Sequence, residues 1–178
     1  MNDQLRKQIN KNIVFIAQGN VNALDDLSRA VSGRMLSVAR SVLKNRTLAE
    51  DAVQEAFIKI VKYANRFDAN TNGYAWICKI TQNVALSMLK REKRNKTVNI
   101  DELFDISAAT DVFAESSAAI NLQKALSLLA EREKQVVYQK YFMEFTVRDI
   151  AKSVGKSKSS VQRTLDAAEE KMRKYLGG

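Results

Sequence analysis

Three groups of residues in this chain have types and spacings suited to chemistry, and in each case the chemistry is recognition, not bond-making. The first lies in Thr146–Leu165, TVRDIAKSVGKSKSSVQRTL. Val147, Ile150, Ala151 and Val154 recur at helical spacing, Gly155 breaks the pattern, and Val161, Leu165, Ala168 and Met172 begin a second apolar stripe. Two short helices joined through a glycine turn fit a helix-turn-helix, whose second helix enters a DNA major groove. That helix carries Lys158, Ser159, Ser160, Gln162, Arg163 and Asp166, groups able to bond base edges or phosphates. The same stripes would also suit two amphipathic helices packed in a bundle.

The second group surrounds Trp76. Arg66-Phe67 precedes a polar loop containing Asn72, and Tyr74 opens the following helix. On that helix Ile77, Ile80, Val84 and Met88 share an inward face, while Trp76, Lys79, Asn83, Ser87, Lys90 and Arg94 share the other. Aromatic rings interleaved with cations suit unstacked DNA, since bases stack on rings while cations follow phosphates. A single tryptophan on a helix is also compatible with a core position. The third group is Asp51, Gln54, Glu55 and Ile58, one stripe at i, i+3, i+4, i+7. DNA would repel it, whereas a protein partner with basic residues would not; alternatively the acids simply complement a helix dipole. Val53, Phe57, Ile60 and Val61 form the stripe expected to be buried on the same helix.

Composition bounds the elements that must position these groups. The chain has 178 residues, 46% of them hydrophobic, no proline and six glycines. Strand-type alternation is absent, so the fold class is all-α. There is no histidine and one cysteine, Cys78, which excludes an internal disulfide and the usual zinc sites and removes the commonest general base. Cys78 falls on an apolar face and is expected to be an inert core thiol. No cofactor, metal or membrane insertion is expected, since no run approaches about 20 apolar residues.

Charge divides the chain. Residues 1–96 hold 17 Lys/Arg against 8 Asp/Glu, residues 97–120 hold five acids and no base, and residues 121–178 hold 12 bases against 7 acids. Two basic blocks flanking an acidic connector favour a polyanionic partner. Helices are expected over about Gln4–Gln18, Ala23–Lys44, Thr47–Asn65 and Tyr74–Arg94. The third is expected to open on a Thr47–Glu50 capping box. A flexible acidic tether follows, with a short helix near Val112–Glu115, then helices over Asn121–Leu129 and Glu131–Phe142 and the helix-turn-helix pair.

Leu48-Ala49-Glu50-Asp51-Ala52-Val53-Gln54-Glu55-Ala56-Phe57 resembles the polymerase-binding segment of bacterial sigma factors. Phe67, Ala75-Trp76-Ile77 and Gln82-Asn83-Val84-Ala85 resemble their promoter-melting segment. Leu129-Ala130-Glu131-Arg132-Glu133-Lys134-Gln135-Val136 and the helix-turn-helix resemble their C-terminal domain. Order, spacing and length are similar to extracytoplasmic-function (ECF) sigma factors, over nearly all of residues 20–176.

The resemblance implies that Asp51, Gln54, Glu55 and Ile58 meet the β′ clamp helices of core RNA polymerase. It implies that Arg66–Tyr74, with Phe67, Asn72 and Tyr74, capture a flipped base of the −10 element, and that Trp76, Lys79, Asn83, Ser87 and Lys90 line the strand-separation point. Lys158, Ser159, Ser160, Gln162, Arg163 and Asp166 would read the −35 element beside the β flap, and an anti-sigma factor is a further expected partner. Ala130 stands where the family usually has proline, Thr164 and Ala167 stand where its members commonly have bases, and Asp166 falls on the outward face beside Arg163. A stand-alone helix-turn-helix regulator is the alternative function.

Overall fold

The computed structural model describes residues 1–95 and 117–177, and the chain forms two compact units. The tether expected after Lys96 and the short helix near Val112–Glu115 lie outside the described residues. Among the described residues every regular element is helical.

The first unit packs α1 (Asp3–Ala17), α2 (Val21–Arg40), α3 (Arg46–Tyr63) and α4 (Gly73–Asn95), with a 3-10 turn over Ala64–Arg66. Asparagine starts all four helices. Asn2, Asn20, Asn45 and Asn72 accept from the amides of Leu5, Ala23, Leu48 and Ala75 at 2.9, 3.4, 3.1 and 3.1 Å. Such caps satisfy an amide that the helix leaves without a partner, each contributing about 1 kcal/mol. The Thr47–Glu50 capping box does not form. Asn45 caps α3 two residues earlier, and Glu50 instead receives Arg46 Nε at 2.9 Å. Helix α2 runs unbroken through Gly33 and stops at Arg40, letting Val42 and Leu43 turn into the core.

Helix α3 differs from the expected amphipathic pattern. Its buried face is Ala49, Ala52, Ala56 and Ile60, while Val53 and Phe57 are half-buried and Val61 is exposed. The helix packs against both α2 and α4. Small side chains let the backbones approach, so alanines face the neighbours and larger residues sit at the margins. On α4, Tyr74, Ile77, Cys78, Thr81, Val84 and Ala85 are buried, and Cys78 is the expected core thiol. Ile80 and Met88 are only half-buried.

The second unit contains α5 (Ser117–Ser127), α6 (Glu131–Val137), α7 (Val147–Val154) and α8 (Lys158–Leu176). Helix α5 begins at Ser117, inside the stretch expected to be tether. Helix α6 widens into a π turn over Tyr138–Phe142, closed by Met143 N donating to Tyr138 O at 3.1 Å. The chain then reverses at Glu144, φ 57°, a left-handed conformation unusual outside glycine.

Ala130 donates its N–H to Glu133 Oε2 at 2.9 Å. Proline has no such proton. Lys171 of α8 meets the same carboxylate at 2.8 Å, tying α6 to α8. Burial pushes the Glu133 carboxyl up, but Lys171 and the Ala130 amide outweigh it and hold it below its ordinary value.

The glycine turn forms as expected. Thr146 caps α7, Gly155 ends it at φ 64°, and Ser157 caps α8. Ile150, Ala151, Val161, Leu165 and Ala168 are buried, with Met172 half-buried.

Candidate nucleic-acid interface

On the first unit, the loop between the 3-10 turn and α4 is held from inside and outside. Asn70 N and Thr71 Oγ1 donate to Asp68 Oδ1 and Asp68 O at 2.9 and 2.6 Å. From α1, Asn10 Nδ2 donates to Ala69 O and Thr71 O at 3.0 and 2.8 Å, while Asn10 Oδ1 accepts from Gly73 N at 2.9 Å. Asn72 is engaged as the α4 cap. Asp68, Ala69, Asn70 and Thr71 are exposed along the rim.

Phe67 and Trp76 are both half-buried, their rings 5.4 Å apart and tilted by 48°. Trp76 therefore serves the fold with one part of its ring and keeps another accessible. Beyond it Lys79, Asn83, Ser87 and Lys90 are exposed along α4. Arg66 is exposed, its guanidinium 5.1 Å from the centre of the Tyr63 ring. Tyr63, which the sequence pattern did not single out, also carries Lys62 at 5.6 Å. Its spacing of three before Arg66 at a helix end was the available signal.

Tyr74 corrects the expectation. It is fully buried, with Arg34 5.6 Å from its ring centre and its hydroxyl beside Cys78 and Arg34. Burial, with Cys78 alongside, drives the phenol well above its ordinary pKa. Tyr74 is a core residue and reaches no surface where DNA could lie. Its register explains this: Tyr74, Ile77, Cys78, Thr81 and Ala85 fall on one α4 face.

The outer face of α3 presents Asp51, Gln54 and Ile58 to solvent, with Ile58 68% exposed. Glu55 is half-buried and already paired, to Lys59 at 2.9 Å and Arg91 at 3.5 Å. The hydrogen bond from Lys59, then the nearby charges of Lys59 and Arg91, outweigh burial and hold its carboxyl below the ordinary value.

On the second unit, Lys158, Ser159, Gln162, Arg163 and Asp166 are exposed on the first turns of α8, and Ser160 is half-buried. Gln162 Nε2 donates to Asp166 Oδ1 at 2.8 Å, and Arg163 Nε donates to Ser159 O at 3.4 Å. Arg148, Lys152, Lys156 and Lys158 line an open depression beside the glycine turn. Among the described residues no ion pair engages these four. The sequence pattern did not single out Arg148, Lys152 and Lys156; i, i+4 spacing puts Arg148 and Lys152 on one face of α7, and the turn after Gly155 brings Lys156 to the same depression.

Among the described residues no cluster of potential ligands could hold a metal ion, and no helix is long and apolar enough to cross a membrane. What the surfaces offer is an aromatic-cationic face and a basic helix-turn-helix, the equipment of a DNA-binding protein with two separate contact units.

The family comparison sharpens that class. Residues 27–95 match the model of Sigma-70 region 2 and residues 119–172 that of Sigma-70, region 4, between them more than half of the chain. Relatives include the ECF RNA polymerase sigma factor SigM of Mycobacterium tuberculosis, 24% identical over 159 residues covering 89% of this chain and 80% of SigM. The ECF RNA polymerase sigma factor SigW of Bacillus subtilis is 21% identical, covering 97% of this chain and 98% of SigW.

Among solved structures, the sigma factor RpoE of Bartonella quintana, crystallised with the anti-sigma factor NepR, has a similar fold. It gives a TM-score of 0.53 at 19% identity, covering 86% of this chain and 97% of that one. The chain belongs to the sigma-70 family, as a member of the ECF type. Its function is that of a sigma factor, a non-enzymatic initiation factor that directs RNA polymerase to promoters.

Proposed function

We propose that the two units divide the promoter between them. Residues 1–96 bind core polymerase through Asp51, Gln54, Glu55 and Ile58, and the −10 element through Arg66, Phe67, Asn72, Trp76, Lys79, Asn83, Ser87 and Lys90. The unit beginning near Ser117 binds the −35 element through Lys158, Ser159, Ser160, Gln162, Arg163 and Asp166. Arg148, Lys152 and Lys156 join it as phosphate contacts, which fix register without reading sequence. Tyr74, buried in the core, makes no DNA contact, and half-buried Tyr63 offers a further ring for stacking. The observation that carries most weight is the continuity of the α4 face: a half-exposed ring pair followed by Lys79, Asn83, Ser87 and Lys90, all open to solvent. Rings beside cations offset the few kcal/mol that extruding a base costs.

The acidic α3 stripe carrying an exposed Ile58 suits a basic protein surface and not DNA, which supports polymerase as its partner. An anti-sigma factor is a further partner by analogy with RpoE, which was solved bound to one. Work with polymerase places the protein in the cytoplasm. The test is to add the purified chain to core polymerase from its host. A stable complex with transcripts from a specific subset of host promoters is the expected result. Tight binding to a two-fold duplex site without polymerase would instead identify a stand-alone regulator.

A further inference from the structure

We propose that Asn10 of α1 is a positioning residue for base capture, because it fixes the shape of the loop between Phe67 and Tyr74. The inference rests on the −10 role proposed above. Helix α1 precedes the region matched by the family model, which starts at residue 27.

One amide holds three points of the loop. Both Nδ2 protons of Asn10 go to carbonyl oxygens, of Ala69 at 3.0 Å and Thr71 at 2.8 Å, and Oδ1 takes the Gly73 proton at 2.9 Å. The orientation of the amide follows from the network, since two acceptors and one donor face it. Aspartate lacks the donors and would set a carboxylate against two carbonyls. Alanine removes every bond.

The fit is close on the loop side as well. A Cβ at residue 73 would lie 2.5 Å from Asn10 Oδ1, 2.8 Å from Ile13 Cδ1 and 3.2 Å from Phe67 Cζ. Gly73 therefore joins the α1 clamp to the Phe67–Trp76 pair. Further hydrogen bonds within the loop run through Asp68 and Asn72, so the base of the loop is set while its rim from Asp68 to Thr71 stays exposed. A pocket that must offset base extrusion gains by being ordered beforehand, because ordering on binding would subtract from affinity.

The experiment uses holoenzyme assembled from the full chain and core polymerase, with single-stranded DNA randomised in sequence as the probe. Sequencing the bound pool reports base preference position by position. Wild type is expected to enrich a short motif. In Asn10→Ala and Asn10→Asp, enrichment at one position falls about tenfold while the others stay within about twofold, as expected when the competent loop is populated only a tenth of the time. Core-polymerase affinity stays unchanged.

Hydrogen exchange gives a second readout: the Gly73 amide loses protection while the α1 amides at Ile9 and Ile13 keep theirs. Should Asn10→Ala unfold α1, Gly73→Ala disturbs the same joint from the loop side and is read in the same way. Unchanged enrichment at every position overturns the inference, as does uniform loss across the motif while the α1 amides keep their protection. A wild type that enriches no motif refutes the −10 reading itself, and this inference with it.

Discussion

Ile58→Ala probes the polymerase surface without touching the fold. Ile58 is 68% exposed in the free chain, so most of its side chain has yet to be removed from water. Burying an isoleucine fully contributes about 1.5–3 kcal/mol, and about two-thirds of that remains to be gained on binding, roughly 1–2 kcal/mol. The dissociation constant for core polymerase should therefore rise about 5- to 30-fold, mostly through faster dissociation. Thermal stability should stay within about 0.5 kcal/mol of wild type, as for other exposed sites. Fluorescence anisotropy of labelled chain titrated with core polymerase measures the first quantity, and calorimetric unfolding the second. Asp51→Asn offers a contrast, since an exposed charge acts on association rate and its effect fades with salt. An affinity change below about twofold for Ile58→Ala would refute the burial argument.

Gly33→Ala should stabilise the first unit by about 0.5–1 kcal/mol, because a methyl there meets nothing within 4 Å; urea unfolding reads the gain. Arg148→Ala and Lys152→Ala should each lower the salt slope of duplex binding by about 1 without altering sequence preference, measured by titrating −35 duplex at several salt concentrations. Glu133→Ala should destabilise the second unit by about 1–2 kcal/mol near neutral pH. Because the folded carboxyl titrates below its ordinary value of 4.5, its stabilisation is full above that value and is lost as pH falls through the folded pKa. Unfolding curves from pH 7 to pH 3 should therefore converge for wild type and variant towards acid.

Much of this architecture was legible in apolar spacing. The helix-turn-helix and its glycine came directly from the 3.6-residue period, and the open face of α4 from the alternation of Lys79, Asn83 and Ser87 with Ile77 and Val84. The errors have common physical causes. Helix α3 buries alanines, because close backbone approach wanted small residues where a hydrophobicity pattern looks for large ones. Tyr74 was grouped with Phe67 and Trp76 by proximity in sequence, although its register places it with Ile77 and Cys78. The Thr47 capping box lost to Asn45, an equally good cap placed two residues earlier. Asn10 gave no local signal, since its partners Ala69, Thr71 and Gly73 lie some sixty residues away. A clamp of this kind is visible only once α1 and the loop are brought together.

Permanganate probing of a host promoter in the presence of this chain, core polymerase or both tests the central claim most directly. Reactive, unpaired thymines near the −10 element should appear only when both proteins are present, and should fade in Trp76→Ala while core binding persists. Duplex that stays closed with both proteins, or opens equally well without the chain, would contradict a role in directing polymerase to promoters and melting them.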